Sequence, residues 1–176
     1  EVNVAPMAEV PALSRHEARG LMFADGIRSA ATHFVWLIAL FITLGSNYVT
    51  YGGALALAGM PGVVMALFIG KWFDTGKGVR AARIGYGAMI LSAVTKCAGF
   101  HIPWSAVAAN AFYSAAWPSY ATALNSQVYN LARLSPCALR FHVVAEGGWD
   151  MGMAVGCGFA ALFIYLGLGF FWPLAI

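Results

Sequence analysis

Three stretches of this chain, residues 29–70, 97–132 and 151–176, contain no Asp, Glu, Lys or Arg. That distribution restricts the fold more than any motif does. A helix crossing the hydrocarbon core of a bilayer needs about 20 mainly apolar residues. The first two stretches are each long enough for two crossings with a turn between them. A soluble helical domain needs charge over its outer faces, and ordinary domains carry about 25% charged residues. Here 10% are charged and 61% hydrophobic. With so little polar surface to offer water, the chain is expected to be all-α: a polytopic transmembrane helix bundle.

Turn chemistry divides the apolar sequence. Gly45-Ser46-Asn47 and His101-Ile102-Pro103 are turn signals, and Gly167-Leu168-Gly169 leads into an aromatic interfacial turn, Phe170-Phe171-Trp172-Pro173. Spans are then expected over about 29–44, 51–69, 81–100, 104–124 and 141–166. A sixth starts at Pro173, which makes five complete spans and the start of a sixth. Gly59-Met60-Pro61-Gly62 predicts a kink in the second span, which a membrane helix tolerates because its neighbours re-satisfy freed backbone groups. Residues 1–19, with Pro6, Pro11 and charges from Glu9 to Arg19, read as a water-exposed cytoplasmic lead-in, and 20–176 as the transmembrane domain. Asp25 and Arg28 are then expected on an amphipathic turn at the membrane surface. The chain opens on Glu1 without a signal peptide, so a processed N-terminus or a part of a longer chain is expected.

Successive spans alternate in direction, so the connections fall on two sides. Nine of the ten Lys and Arg residues lie with the N-terminus, residues 70–83 and residues 125–141; the tenth, Lys96, falls inside a span. Short cytoplasmic segments carry the Lys/Arg excess, so this side is expected to be cytoplasmic, in the inner (plasma) membrane of a bacterium. The same asymmetry accounts for the formal net charge of +3. No basic run interleaved with aromatics suggests nucleic-acid binding. Cys97, Cys137 and Cys157 are odd in number and lack CxxC spacing, so neither a disulfide frame nor a zinc site is expected. No HExxH or GxSxG motif is present. No enzyme activity, cofactor or metal is expected.

The connection between the second and third spans reads Gly70-Lys71-Trp72-Phe73-Asp74-Thr75-Gly76-Lys77-Gly78-Val79-Arg80. It resembles the signature loop of the major facilitator superfamily of secondary transporters: Gly, three residues, Asp, then Gly and a basic cluster, joining the second and third helices of each six-helix half. Thr75 stands where that family usually carries a basic residue. The resemblance implies half of such a transporter, the C-terminal half, with a second six-helix half as partner and a small solute bound between them near the midplane. It implies a gating loop of Gly70, Asp74, Gly76, Lys77 and Arg80. There Gly70 would let helix ends approach, and Asp74 would pair with Lys77, Arg80 or helix-end carbonyls. A plain positive-inside loop with a solvated Asp74 is the other reading.

Ionisable residues inside a membrane are costly and mark function by default. His142, Glu146 and Asp150 recur at i, i+4 and i+8, close to one helical face. They are candidates for loading and releasing a proton, against a reading as hydrated groups in the headgroup zone. Lys96 reads either as a substrate contact or as a side chain snorkelling to the outer interface. His33 reads as a packed polar residue. Tyr113, Trp117 and Tyr120 share a helical face, as a cavity wall, as interface anchors or as packing, and Asn47, Tyr48 and Tyr51 cluster at the outer end of the first two spans. Gly152 and Gly156 form a GxxxG pattern, with Gly158 beyond it, for close helix contact. The expected function is secondary transport by alternating access, coupled to protons through Asp150 or Glu146. The alternative is a structural or assembly subunit of a larger membrane complex, whose intramembrane charges would face other membrane subunits. The substrate is not legible.

Overall fold

The computed structural model describes residues 12–175. Glu1, Pro6, Glu9 and Pro11 of the lead-in lie outside these residues. Secondary structure in the described chain is helical throughout: α1 (Ala12–Ala30), a π-helical turn (Ala31–Val35), α2 (Trp36–Thr43), α3 (Tyr48–Asp74), α4 (Gly78–Gly99), α5 (Pro103–Ala132), α6 (Ala138–Tyr165) and the short α7 (Phe171–Leu174). The π-turn joins α1 to α2 without a break, so 12–43 is one long helix.

Three helix ends have a clear local cause. Asn47 caps α3, its side chain accepting from the Val49 and Thr50 amides at 2.9 and 3.1 Å. Gly76, at φ 76°, ends α3: its amide bonds the Phe73 carbonyl, and the Lys77 amide bonds that of Trp72. This is a glycine-terminated helix end with a left-handed residue. Pro103 sits at the first position of α5, where its missing N–H costs nothing.

The helices overrun the expected spans, mostly at the cytoplasmic side of the sequence reading. The polar connection expected over 70–83 is helical except for 75–77, and that expected over 125–141 is helical except for 133–137. The first helix starts at Ala12, within the segment read as lead-in, and Ala18 is buried against Val128, Ala132, Phe141 and Ala145. Pro61 lies inside an uninterrupted α3. Three segments are long and apolar enough to cross a membrane: Ser14–Thr43, Tyr48–Asp74 and Ala138–Tyr165. The other two long helices are more polar. α4 carries Arg80, Arg83 and Lys96, and α5 is rich in Ala, Ser, Tyr and Asn.

The packing explains α5. It lies between α3 and α4 and also reaches α1, and it buries ten residues. Its surface therefore meets protein, and close contact selects small side chains there. Ser119 of α5 donates to the Ala81 carbonyl of α4 at 2.7 Å. The second pairing joins α1 to α6 along most of their length. A Cβ placed on Gly148 or Gly152 of α6 would strike the backbone at Arg19 or Phe23 of α1, and one on Gly156 would strike the Ala30 side chain and crowd the Ile27 backbone. The register advances in step, so the two helices run parallel. The GxxxG pattern is thus a packing face, and it begins one turn earlier than expected.

Large apolar side chains point outward. Leu57, Val63, Leu67, Ile90 and Val143 are each more than 60% exposed, while the core is dominated by Ala with a few large residues such as Trp36 and Phe141. A water-soluble protein does not expose this much apolar surface. The arrangement suits lipid outside and small residues at helix contacts.

Candidate functional site

The interior holds one concentrated polar centre, near the middle of the 12–43 helix. Asp25 and Arg28 are one turn apart on α1 and form an ion pair at 2.8 Å, the one ion pair among the described residues. The Asp25 carboxylate is fully engaged. Its Oδ1 accepts from Arg28 Nε at 2.9 Å and from the Tyr120 hydroxyl at 2.7 Å, and its Oδ2 accepts from Trp149 Nε1 at 3.0 Å. One carboxylate thus ties together α1, α5 and α6. Desolvating a charge is tolerable only when it is paired and its remaining hydrogen-bonding capacity is met, and Asp25 satisfies both conditions.

Arg28 spreads its donors more widely. Nη2 reaches the Ser29 hydroxyl at 2.9 Å, and Nη1 makes two longer contacts, to the Thr32 hydroxyl at 3.3 Å and the Tyr113 hydroxyl at 3.4 Å. The guanidinium also lies 5.0 Å from the ring centres of both Trp117 and Tyr120. The expected face of Tyr113, Trp117 and Tyr120 is therefore a surround for the cation. His33, within the π-turn, meets Trp117 edge-on at 6.3 Å between ring centres. On the far side, Trp36 is fully buried and donates to the Asn110 side chain at 2.8 Å.

Lys96 belongs to the same centre. It is only 2% exposed, and its ammonium lies 3.6 Å from the centre of the Tyr113 ring and 5.0 Å from that of Trp36. Nζ has no hydrogen-bond partner among the described residues. The snorkelling alternative is thereby excluded. Side chains on a helix tilt toward its N-terminus, so Lys96 is directed back along α4 rather than out past Gly99.

The other expected residues lie elsewhere. Glu146 and Asp150 are exposed and His142 is half-buried, with its ring 5.3 Å from that of Tyr129. The three share a face, as expected, but the helix α6 turns its opposite face toward α1. Only Trp149, beside Asp150, reaches the centre. In the connection between α3 and α4, Asp74, Lys77 and Arg80 are exposed, and no ion pair links them. Gly76 serves the turn. A Cβ at Gly70 would meet nothing within 4 Å, so close helix approach does not account for that glycine. Among the described residues no three His, Cys, Asp or Glu side chains come together as a metal site would require.

Two cavities adjoin the ionic centre. The larger, about 690 Å³, opens between α1, α4 and α5, with Asp25, Arg28, Tyr86 and Tyr120 on an otherwise apolar wall. The smaller, about 80 Å³, is bounded in part by Arg28, Thr32, Ser92 and Lys96. Fold and site together define a helical integral membrane protein with a charged centre enclosed by its own helices. No family model, curated protein or solved structure matches the chain.

Proposed function

We propose that this protein is one six-helix half of a secondary transporter of the major-facilitator type, moving a small solute by alternating access. The observation that carries the reading is the enclosed ionic centre of Asp25, Arg28 and Lys96 beside a cavity. Charges at membrane depth are expensive, and where they occur they mark solute or ion pathways. The helix order supports it. In this reading the 12–43 helix, α3, α4, α5 and α6 serve as five spans and α7 begins a sixth, with the Asp74-Lys77-Arg80 turn between the second and third. In this reading the Lys/Arg-rich side is cytoplasmic, in the inner membrane, and holds the N-terminus. The outward-turned Glu146 and Asp150 face the second half, where they load and release the coupling proton.

The same outward carboxylates favour a second reading, a structural subunit whose Glu146 and Asp150 contact other membrane proteins. Reconstitution separates the two. The full chain, purified with whatever copurifies, is placed in vesicles and offered labelled organic anions, organic cations, sugars and amino acids under an inward proton gradient. Transport predicts saturable uptake of at least one class, lost in Asp150→Asn while that variant stays folded. No saturable uptake of any class would overturn the transport reading, and normal proton-driven uptake by Asp150→Asn would overturn the coupling role.

A further inference from the structure

The charges of the centre do not balance. Asp25 neutralises Arg28 through a direct pair, and Lys96 is left as a second cation with aromatic faces but no hydrogen-bond acceptor. Ring faces offset part of the cost of enclosing an ammonium, yet they leave its three N–H donors unused. A buried donor without an acceptor is a defect in a fold and a resource in a binding site. Lys96 and Arg28 line the same small recess. The Nη1 contacts of Arg28, at 3.3 and 3.4 Å, are the longest of its hydrogen bonds and the easiest to exchange for a better acceptor.

We propose that the recess between Lys96 and Arg28 binds the carboxylate head of an amphipathic organic acid, with its apolar body in the adjoining larger cavity. The two spaces share Arg28, Met89, Ala93 and Ala175 in their walls and so lie side by side, and the proposed ligand would span both. The recess, at about 80 Å³, holds a head group and little more, whereas the larger space of about 690 Å³ takes a long hydrocarbon or aromatic body. One excess positive charge calls for a monoanion. A cationic ligand would face two cations. This assignment deepens the transport reading by naming its substrate class, although binding itself does not depend on transport. The acid can arrive from water as a short-chain carboxylate or from the bilayer as a fatty acid.

Equilibrium binding of labelled octanoate to the full chain in detergent tests the assignment, with octanol and octylammonium as chain-matched competitors and oleate as the bilayer-derived one. Saturable octanoate binding is expected, displaced by neither octanol nor octylammonium at equal concentration. Lys96→Met should weaken it by about ten- to a hundredfold, the loss of one hydrogen bond to a charged group. Lys96→Arg should retain it more nearly. Lys96→Gln, which keeps a donor without the charge, serves where Lys96→Met does not elute as a folded species. Stronger displacement by oleate assigns the bilayer as the source, and weaker displacement assigns the aqueous phase. The proposal is overturned if octanoate does not saturate, if octylammonium competes equally, or if the uncharged variants bind as the parent does. Octanoate binding without uptake in vesicles removes transport and keeps the site; uptake of another solute without octanoate binding does the reverse.

Discussion

Replacing Asp25 by Asn tests the ionic centre most directly. The side chain keeps its shape, so the effect is chemical. If the amide oxygen takes the place of Oδ1, it can still accept from Tyr120 and Arg28, but the NH₂ group then faces the Trp149 N–H across 3.0 Å, donor against donor. Losing that bond to a charged acceptor costs about 1.5–3 kcal/mol. The two remaining bonds fall to about half their strength once the acceptor is neutral. Arg28 also loses its counter-ion, and removing one partner of a buried pair costs about 3–5 kcal/mol. Hydrogen bonds between membrane helices are worth less than those in water-soluble cores, on average about 0.6 kcal/mol. The lower end, about 3 kcal/mol, is therefore expected. Unfolding by sodium dodecyl sulfate in mixed micelles, followed by tryptophan fluorescence, measures it. Arg28→Gln and the double variant complete a cycle. The double variant should be more stable than the sum of the single losses predicts, by about 1 kcal/mol or more, because each single change strands the other group. A change within about 0.5 kcal/mol for Asp25→Asn is what an exposed position gives. That outcome, or strict additivity in the cycle, would refute a buried, mutually dependent pair.

The same assay reads three further expectations. Lys96→Met should stabilise the protein by about 1–4 kcal/mol, since an apolar side chain of similar length replaces an enclosed charge without a counter-ion; destabilisation would show that the ammonium has a partner. Gly152→Ala should cost about 1–3 kcal/mol, because its Cβ would run into the Phe23 carbonyl. The control Gly158→Ala, where nothing lies within 4 Å, should be neutral or gain up to about 1 kcal/mol of helix propensity. Trp36→Phe should cost about 1–3 kcal/mol through the orphaned Asn110 side chain, which is buried and receives the indole N–H.

Much of the helical layout could be read in the sequence because it follows from local chemistry. Long apolar runs punctuated by Gly, Asn and Pro mark out the long helices, and the glycines at 76 and 45 and the cap at Asn47 fall at their ends. The ionic centre could not be read in the same way. Asp25 and Arg28 look like interfacial charges when only neighbouring residues are considered, because the groups that make burial tolerable, Tyr120 and Trp149, lie 95 and 124 residues away from Asp25. For Lys96 the sequence left snorkelling and a substrate contact equally open, because the rings that enclose its ammonium, Tyr113 and Trp36, lie on other helices.

The proton candidates on α6 show what periodicity can and cannot decide. The spacing of His142, Glu146 and Asp150 places them on one face but does not say which way that face points. The orientation was encoded two residues further along. At 3.6 residues per turn, a two-residue offset is a rotation of about 200°, so Gly148 lies opposite Glu146 and Gly152 opposite Asp150. Glycines spaced by four are the close-packing face of a membrane helix, and here they meet α1 backbone to backbone. A helix that presents glycine to its neighbour must present the other stripe away from it. The acidic stripe therefore points out of this chain's own bundle, away from the ionic centre of Asp25 and Arg28.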